Sequence, residues 1–533
     1  MDKNEYTYEV ISQLRAFVDS GQVALVLLGL ADNEFQEQDR ASGFESITRL
    51  AYELHVTPPF ERARAFEQVQ QMFTHINIEQ INWEYVIMYD VGANSHQMTI
   101  AEGLVKRLEG VLQTPRERVL VAEGEKFTPF LLQLVEGHIN SDFVITTNSA
   151  LYKRILEMIF IEHRDTVEIV LSDIYRYQFL NQKFDAILSV PRFGGRELVD
   201  YEKFMCRESD LAAFENLLLH LNVDGEMAIV LPARVTFAIG RVKDLREFVQ
   251  DNYTLTQITE LPQGIFSFTG IKTLIIRVVS HRPSDDNEIV ITKCEAEERK
   301  SLRDPITELK DADETFVMLE ELKEKGDWNI EHIFAQQDEE WLHFKNSDVR
   351  KERLGEVATV FRGKNVSRKD DTGNIGVVNI GNIGEYEIDY AGLDHVELDE
   401  RKATAYILQD GDVLIPARGT AIRTAVYREQ KDICIASSNV IVIRPDASML
   451  NSIYLKIFFD SPLGKKIIRG AQQGMTVISI SYKDLAALEI PLPSLEAQNS
   501  IVAQYQEEFA RYKKAISDAE DRWNDVLKKL QKF

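Results

Sequence analysis

At 533 residues, 44% of them hydrophobic and 28% charged, the chain has the length for two to four domains and the composition of a globular protein. No run of eighteen apolar residues occurs, which excludes a membrane-spanning helix and a membrane partner, and no signal peptide is read. Cys206, Cys294 and Cys434 are too scattered for a zinc motif or a disulfide framework, so no metal is expected and a cytoplasmic setting is. The net charge of −25 predicts weak non-specific affinity for nucleic acid. It leaves room for a local basic groove, because residues 346–490 hold 19 Lys and Arg against 20 Asp and Glu.

Residues 1–115 are predicted to be a helical domain. Apolar positions recur at helical spacing around Val10, Leu14, Phe17 and Val18, and again around Phe66, Val69 and Phe73. The run Val23–Leu30 is too short for a bilayer and reads as a buried helix segment. From 116 to 282, strand-like and helical segments alternate. The predicted strands are 119–122, 143–146, 167–171, 184–188, 227–231 and 274–279, with helical patterns at 150–162 and 211–221. Such alternation predicts a largely parallel sheet covered on both faces, with ligands at the carboxyl ends of its strands. Residues 283–345 are polar and read as a connector. Residues 346–490 are rich in β-branched residues and glycine turns, and a final helix over 491–533 follows Pro491-Leu-Pro493.

Directly after the fourth predicted strand, residues 187–196 read Ile-Leu-Ser-Val-Pro-Arg-Phe-Gly-Gly-Arg. The segment resembles the active-site strand end of adenine-N6 DNA methyltransferases, usually Asn/Asp-Pro-Pro-Tyr/Phe. The resemblance implies that the first side chain and the next carbonyl accept hydrogen bonds from the amine of a flipped adenine, while the aromatic ring stacks on the base. Here Val190 stands at the acceptor position and Arg192 replaces the second proline, whereas Pro191 and Phe193 remain. A valine side chain accepts no hydrogen bond. Arg192 is left to contact phosphate or an unpaired base, or simply to fill space.

The resemblance continues through Gly225–Pro232, Leu261–Phe266 and Thr269–Thr273, which are similar to stretches of type I modification subunits. It implies a site for S-adenosylmethionine, and the residues depart from it. The family's Asp-Pro-x-x-Gly-x-Gly turn is here Ala-Glu-Gly-Glu-Lys-Phe over 122–127, with one glycine. The acidic residue expected after the second strand is missing from Ile145-Thr-Thr-Asn148, and Asp173 alone matches an acidic position able to meet the adenine amine.

The carboxyl-terminal block resembles half of a type I restriction specificity subunit, a target recognition domain followed by a long helix. The resembling stretches are 353–363, 377–383, 408–415, 417–421, 436–444, 454–464 and 490–498. The resemblance implies double-stranded DNA as partner. Candidate contacts form three clusters: Arg362, Lys364, Asn365, Arg368 and Lys369; Arg418 and Arg423; Lys465, Lys466, Arg469, Gln472 and Gln473. On the final helix Val502, Tyr505, Phe509, Tyr512, Ile516, Ala519, Trp523, Val526 and Leu530 make a heptad seam. It predicts pairing with a second copy or another restriction or defence subunit; the alternative is one amphipathic helix folded back on its own core.

The expected fold is therefore an α/β Rossmann-like methyltransferase core with an amino-terminal helical domain, an α+β target recognition domain and a carboxyl-terminal coiled-coil helix. The resemblance implies a DNA-recognition protein of a bacterial restriction-modification or phage-defence system, its methyltransferase core inactive and no cofactor expected. One alternative is an active S-adenosylmethionine-dependent adenine-N6 methyltransferase. Another is a protein-interaction scaffold that does not touch DNA.

Overall fold

The computed structural model describes residues 2–31, 40–62, 66–67, 69–70, 76–93, 99–195, 200–266, 270–284, 287–297, 305–337, 339–366, 373–398, 400–419, 422–472 and 479–530. They form two compact units, 1–328 and 329–533. No helix among the described residues is long and apolar enough to cross a membrane.

The first unit is built on nine strands: β1 (Arg118–Ala122), β2 (Asp142–Thr147), β3 (Val167–Leu171), β4 (Phe184–Ser189), β5 (Leu221–Pro232), β6 (Thr254–Glu260), β7 (Thr273–Val279), β8 (Glu288–Ala296) and β9 (Leu309–Met318). Their order is β3-β2-β1-β4-β5-β7-β6-β8-β9. Strands β1 to β5 pair in parallel, while β7 runs antiparallel to both β5 and β6. The apolar strand Val119-Leu-Val-Ala122 is buried throughout, because both faces of the sheet's centre are covered.

Two parts of the sheet lie outside the sequence-based expectation. The polar strand β6 was not legible, and β8 and β9 fall in the segment read as a connector. Strand β9 is an edge strand with mostly exposed, charged side chains, so its composition imitates a loop while its backbone pairs with β8.

The amino-terminal region is helical: α1 (Lys3–Leu14), α2 (Val23–Ala31), α3 (Arg40–Glu53), α4 (Trp83–Ala93) and α5 (Glu102–Leu108). Every residue from Val23 to Leu30 is buried, as are Val10, Leu14, Val18, Phe66 and Val69. Phe17 is exposed, against expectation. It falls beyond the end of α1, where helical spacing no longer directs a side chain inward. Phe73 lies outside the described residues. Within the α/β part, α6 (Leu131–Glu136), α7 (Ala150–Ile159), α8 (Ser209–Leu218) and α9 (Arg241–Asn252) cover the sheet.

The second unit holds β10 (Lys351–Arg353), β11 (Ala358–Arg362), β12 (Ile375–Val378), β13 (Asp394–Val396), β14 (Val413–Pro416), β15 (Ala425–Val426), β16 (Ile433–Ala436), β17 (Val440–Pro445) and β18 (Glu489–Pro491). Four of them form the sheet β11-β17-β14-β15, three form β13-β12-β16, and β10 pairs with β18. Helices α10 (Ser452–Asp460) and α11 (Pro462–Ala471) follow. Ser461 starts α11 by accepting the Gly464 N–H, with Pro462 at the first helical position. The chain closes with α12 (Leu495–Leu530), 36 residues long.

Candidate functional site

In the first unit the strand order reverses between β1 and β4, and ligands of open parallel sheets lie in the crevice at such a point. Two loops border it, the one after β1 and the one after β4. Val190 follows β4 with its side chain wholly buried, and Pro191 is buried beside it. Phe193 is half-buried, edge-on to Phe266 with centroids 5.3 Å apart.

The loop after β1 turns sharply. Glu123 adopts the left-handed conformation at φ 56, and Gly124 packs so closely that a side chain there would collide with Ile145 Cγ2. This turn carries Glu123, Glu125 and Lys126 into the interior, and all three are buried. Lys126 Nζ donates to Glu123 Oε2 at 2.6 Å and to the Val190 carbonyl at 2.7 Å. One ammonium thus bridges the ends of β1 and β4. The Tyr175 hydroxyl donates to the same Glu123 oxygen at 3.0 Å and accepts the Arg192 N–H at 2.6 Å. Burial first, then the Glu123 charge, push the Tyr175 phenol well above its usual range. The Arg192 guanidinium sits 5.1 Å over the Tyr175 ring, with its Nε buried and unpartnered. Helix α8 holds the far end of the β4 loop, where the Ser209 N–H donates to the Gly195 carbonyl at 2.7 Å.

The fit to S-adenosylmethionine can be tested against these contacts. A glycine-rich turn would let backbone approach the donor, but here the single glycine is consumed by packing on Ile145. Charged side chains bonded to one another take the ground between β1 and β4. At the end of β2, Thr146 and Thr147 offer no acid. Glu125 brings a carboxyl there from the neighbouring loop, and its Oε2 has no hydrogen-bond partner. Burial, with the Glu123 charge adding, pushes this acid up to about 7. Its depth keeps it from a ribose hydroxyl unless the loop moves. Asp173 is committed to a turn, its Oδ1 accepting the Tyr175 N–H at 3.0 Å. The residues present do not fit the donor.

Sequence reasoning singled out Val190, Arg192 and Phe193 and missed Glu123, Glu125, Lys126 and Tyr175. The signal for Glu123, Glu125 and Lys126 was the charged run that replaces the glycine turn. Tyr175 gave none.

In the second unit the backbone brings Arg362, Lys364, Arg418, Arg423 and Gln472 to one end of the four-stranded sheet. Strands β11 and β14 end there, at Arg362 and before Arg418, and β17 begins there. The Gly363 N–H donates to Val440, and the Ala417 N–H to Asn439 in the turn that precedes β17. Arg418 forms an isolated bridge with Ser479, and Gln472 Nε2 donates to the Gly419 carbonyl at 3.3 Å. Arg423 precedes β15 at the same end, because Leu414 pairs with Ala425. Arg362, Asn365, Arg418, Arg423 and Arg469 are exposed, while Lys364, Lys465, Lys466 and Gln472 are half-buried. Arg362 donates to the Ser438 carbonyl, Lys364 lies over the Tyr406 ring, and Lys466 pairs with Glu340. Among the described residues no ion pair holds Arg362, Arg418, Arg423 or Arg469. Arg368, Lys369 and Gln473 lie outside the described residues.

The seam of α12 divides. Val502 is buried in the core of its own unit. Tyr505, Phe509 and Tyr512 stack along the helix, and Tyr386 covers Phe509 and Tyr512 from the body of the unit. Lys513 pairs with Glu387. Beyond it Ile516, Ala519, Trp523, Val526 and Leu530 are all exposed, Trp523 by 62%. The folded-back arrangement therefore describes the helix only as far as Lys513.

Comparison with known proteins follows the same division. Residues 146–339 match the family model for N-6 DNA methylase, and 346–517 match that for the type I restriction modification DNA specificity domain. The chain is 28% identical over 149 residues to the methylase subunit of the type I restriction enzyme EcoEI from Escherichia coli, covering 27% of this chain and 29% of that protein. It is 24% identical over 161 residues to the EcoBI specificity subunit of the same organism, covering 29% of this chain and 34% of that protein. The matched stretches thus span about a third or less of each relative's own length. Among solved structures, the methyltransferase subunit of a type I restriction-modification system from Streptococcus thermophilus aligns with 57% of this chain and 78% of its own. Its sequence identity is 16% and its TM-score 0.43.

Proposed function

We propose that this chain, which joins an N-6 DNA methylase region to a type I DNA specificity region, recognises a DNA sequence within a restriction-modification system and transfers no methyl group itself. The specificity region presents its basic end to duplex DNA. The methylase region serves as a scaffold, and catalytic work falls to partner subunits. The exposed distal half of α12 docks a helix of a second copy or of such a subunit.

One observation carries the non-catalytic reading. The position that must accept a hydrogen bond from the target amine is Val190, whose side chain is buried and whose carbonyl is already taken by Lys126. Without the side-chain acceptor, one of the two that the resemblance implies, a flipped adenine is poorly oriented and its amine is not made more nucleophilic. A single orphaned oxygen favours the second reading, a working S-adenosylmethionine-dependent methyltransferase: Glu125 Oε2, near the end of β2, is buried and lacks a partner, and a movement of its loop would offer it to a ribose hydroxyl.

Calorimetry and methylation assays separate the two. Absence of saturable heat with S-adenosylmethionine, together with retarded duplex DNA in gel shifts, supports recognition without transfer. The appearance of N6-methyladenine in DNA defeats it. A chain that retards no duplex even at low salt is a scaffold instead.

A further inference from the structure

We infer that Glu123, Lys126 and Tyr175 form an internal clasp that closes the β1/β4 crevice and holds the Pro191–Gly195 loop in one conformation without any bound ligand. The clasp replaces a ligand rather than waiting for one. The inference deepens the reading of the core as non-catalytic and rests on it.

The geometry is a chain of four hydrogen bonds across the switch point. Lys126 Nζ joins Glu123 to the Val190 carbonyl, at 2.6 and 2.7 Å. Tyr175 joins the same carboxylate to the Arg192 N–H, at 3.0 and 2.6 Å. Two backbone groups of the β4 loop, one carbonyl and one amide, are thereby tied to a single carboxylate on the β1 loop. The side chains are out of solvent, with Lys126 only 5% and Glu123 only 8% exposed, so water does not compete for these bonds. The loop's other end is fastened by Ser209, whose N–H donates to Gly195. Between these two anchors stand Arg192 and Phe193. Tyr175 also supports the Arg192 guanidinium from below with its ring. Glu123, Lys126 and Tyr175 are therefore positioning residues for Arg192 and Phe193.

The test is hydrogen exchange of the 187–195 peptide, with calorimetry against S-adenosylmethionine, on the full chain and on Lys126→Met, Tyr175→Phe and Glu123→Gln/Lys126→Met. The full chain should show strong protection of this peptide, unchanged by millimolar S-adenosylmethionine, and no saturable heat. Tyr175→Phe removes one hydroxyl and keeps the ring, so a folded protein is expected. In it the Arg192 amide should exchange at least about tenfold faster, while peptides of β5 keep their protection. Lys126→Met should release the loop further, and the double variant should lose loop protection while regaining thermal stability. Saturable binding of S-adenosylmethionine by the unmodified chain, or a loop equally protected in Tyr175→Phe and Lys126→Met, overturns the clasp. Duplex binding is read separately. A protein that binds no DNA yet loses loop protection in both variants refutes the recognition role and supports the clasp.

Discussion

The carboxyl end of the large sheet and the basic end of the small one use similar side chains in opposite ways. At β1 and β4, Glu123, Lys126 and Tyr175 point inward and spend their hydrogen bonds on each other and on backbone. At β11 and β14, Arg362, Arg418 and Arg423 point outward, and no described acid pairs with them. A buried charge must be paired to be tolerated, whereas an exposed cation keeps its valences for a phosphate or a base edge. The first arrangement stabilises a fold. The second remains available to a partner. The contrast teaches that the direction of a charged residue, more than its identity, decides whether it serves the fold or stays accessible.

The comparison breaks first at Lys126. Lys126→Met leaves the buried Glu123 carboxylate without its cation, and the cost should be about 3 kcal/mol of stability. Adding Glu123→Gln should return most of it, as denaturant melts of the three proteins will show. A change below about 1 kcal/mol in the single variant would mean that the ion pair is solvated after all.

At the other end, Arg362→Glu combined with Arg418→Glu and Arg423→Glu should weaken duplex binding roughly 100-fold at low salt. The slope of affinity against salt should fall by about one unit per lost phosphate contact, with the melting temperature nearly unchanged. A large loss of stability with an unaltered salt slope would assign these arginines to the fold instead.

A third measurement concerns a buried acid outside both ends. Glu84 accepts the Leu132 N–H at 3.0 Å, at the start of α6, and burial pushes its pKa from 4.5 to about 7. The folded state therefore binds this proton more tightly than the unfolded chain does. Its stabilising contribution is complete below about pH 4.5 and is lost as pH rises to about 7, an effect of roughly 3 kcal/mol by linkage. Glu84→Gln keeps the acceptor and removes the charge. It should stabilise the protein at pH 8, change little at pH 4.5, and flatten the curve between them.

The smallest effect is expected at the end of α12. Trp523→Ala should shift the stability of the free chain by less than about 0.5 kcal/mol, because the ring is 62% exposed. Val502→Ala removes a buried side chain and should cost about 1–2 kcal/mol. Sedimentation should show Trp523→Ala lowering any self-association that the unmodified chain displays, and Val502→Ala leaving it intact.

Much of this was legible in the chain. The apolar strands β1, β4 and β7 announce themselves by composition, and the Val-Pro-Arg-Phe segment by its place after β4. The heptad seam is plain over its whole length, although only the structure shows that its first half is spent on Tyr386 and the core. Strand β9 was hidden because an edge strand with charged side chains has the composition of a loop until a neighbour supplies its hydrogen bonds, whereas the interior strand β8, with Ile289 and Ile291 buried, was masked by the polar segments on either side of it. Arg362, Arg418 and Arg423, distant in sequence, meet at one end of the sheet only once β11, β14, β15 and β17 are paired.

From residues alone came the lack of a side-chain acceptor at Val190, since a hydrocarbon side chain has no lone pairs in any fold. The same holds for the absence of a glycine-rich turn after β1. Tertiary structure decided what replaced them. Nothing in the order Glu-Gly-Glu-Lys tells whether those charges meet solvent or each other. That depends on the left-handed turn at Glu123, the contact of Gly124 with Ile145 and the distant carbonyl of Val190. Chemical capacity is a property of the side chain, but the partner that satisfies it is chosen by chain segments far apart in sequence and adjacent only after folding.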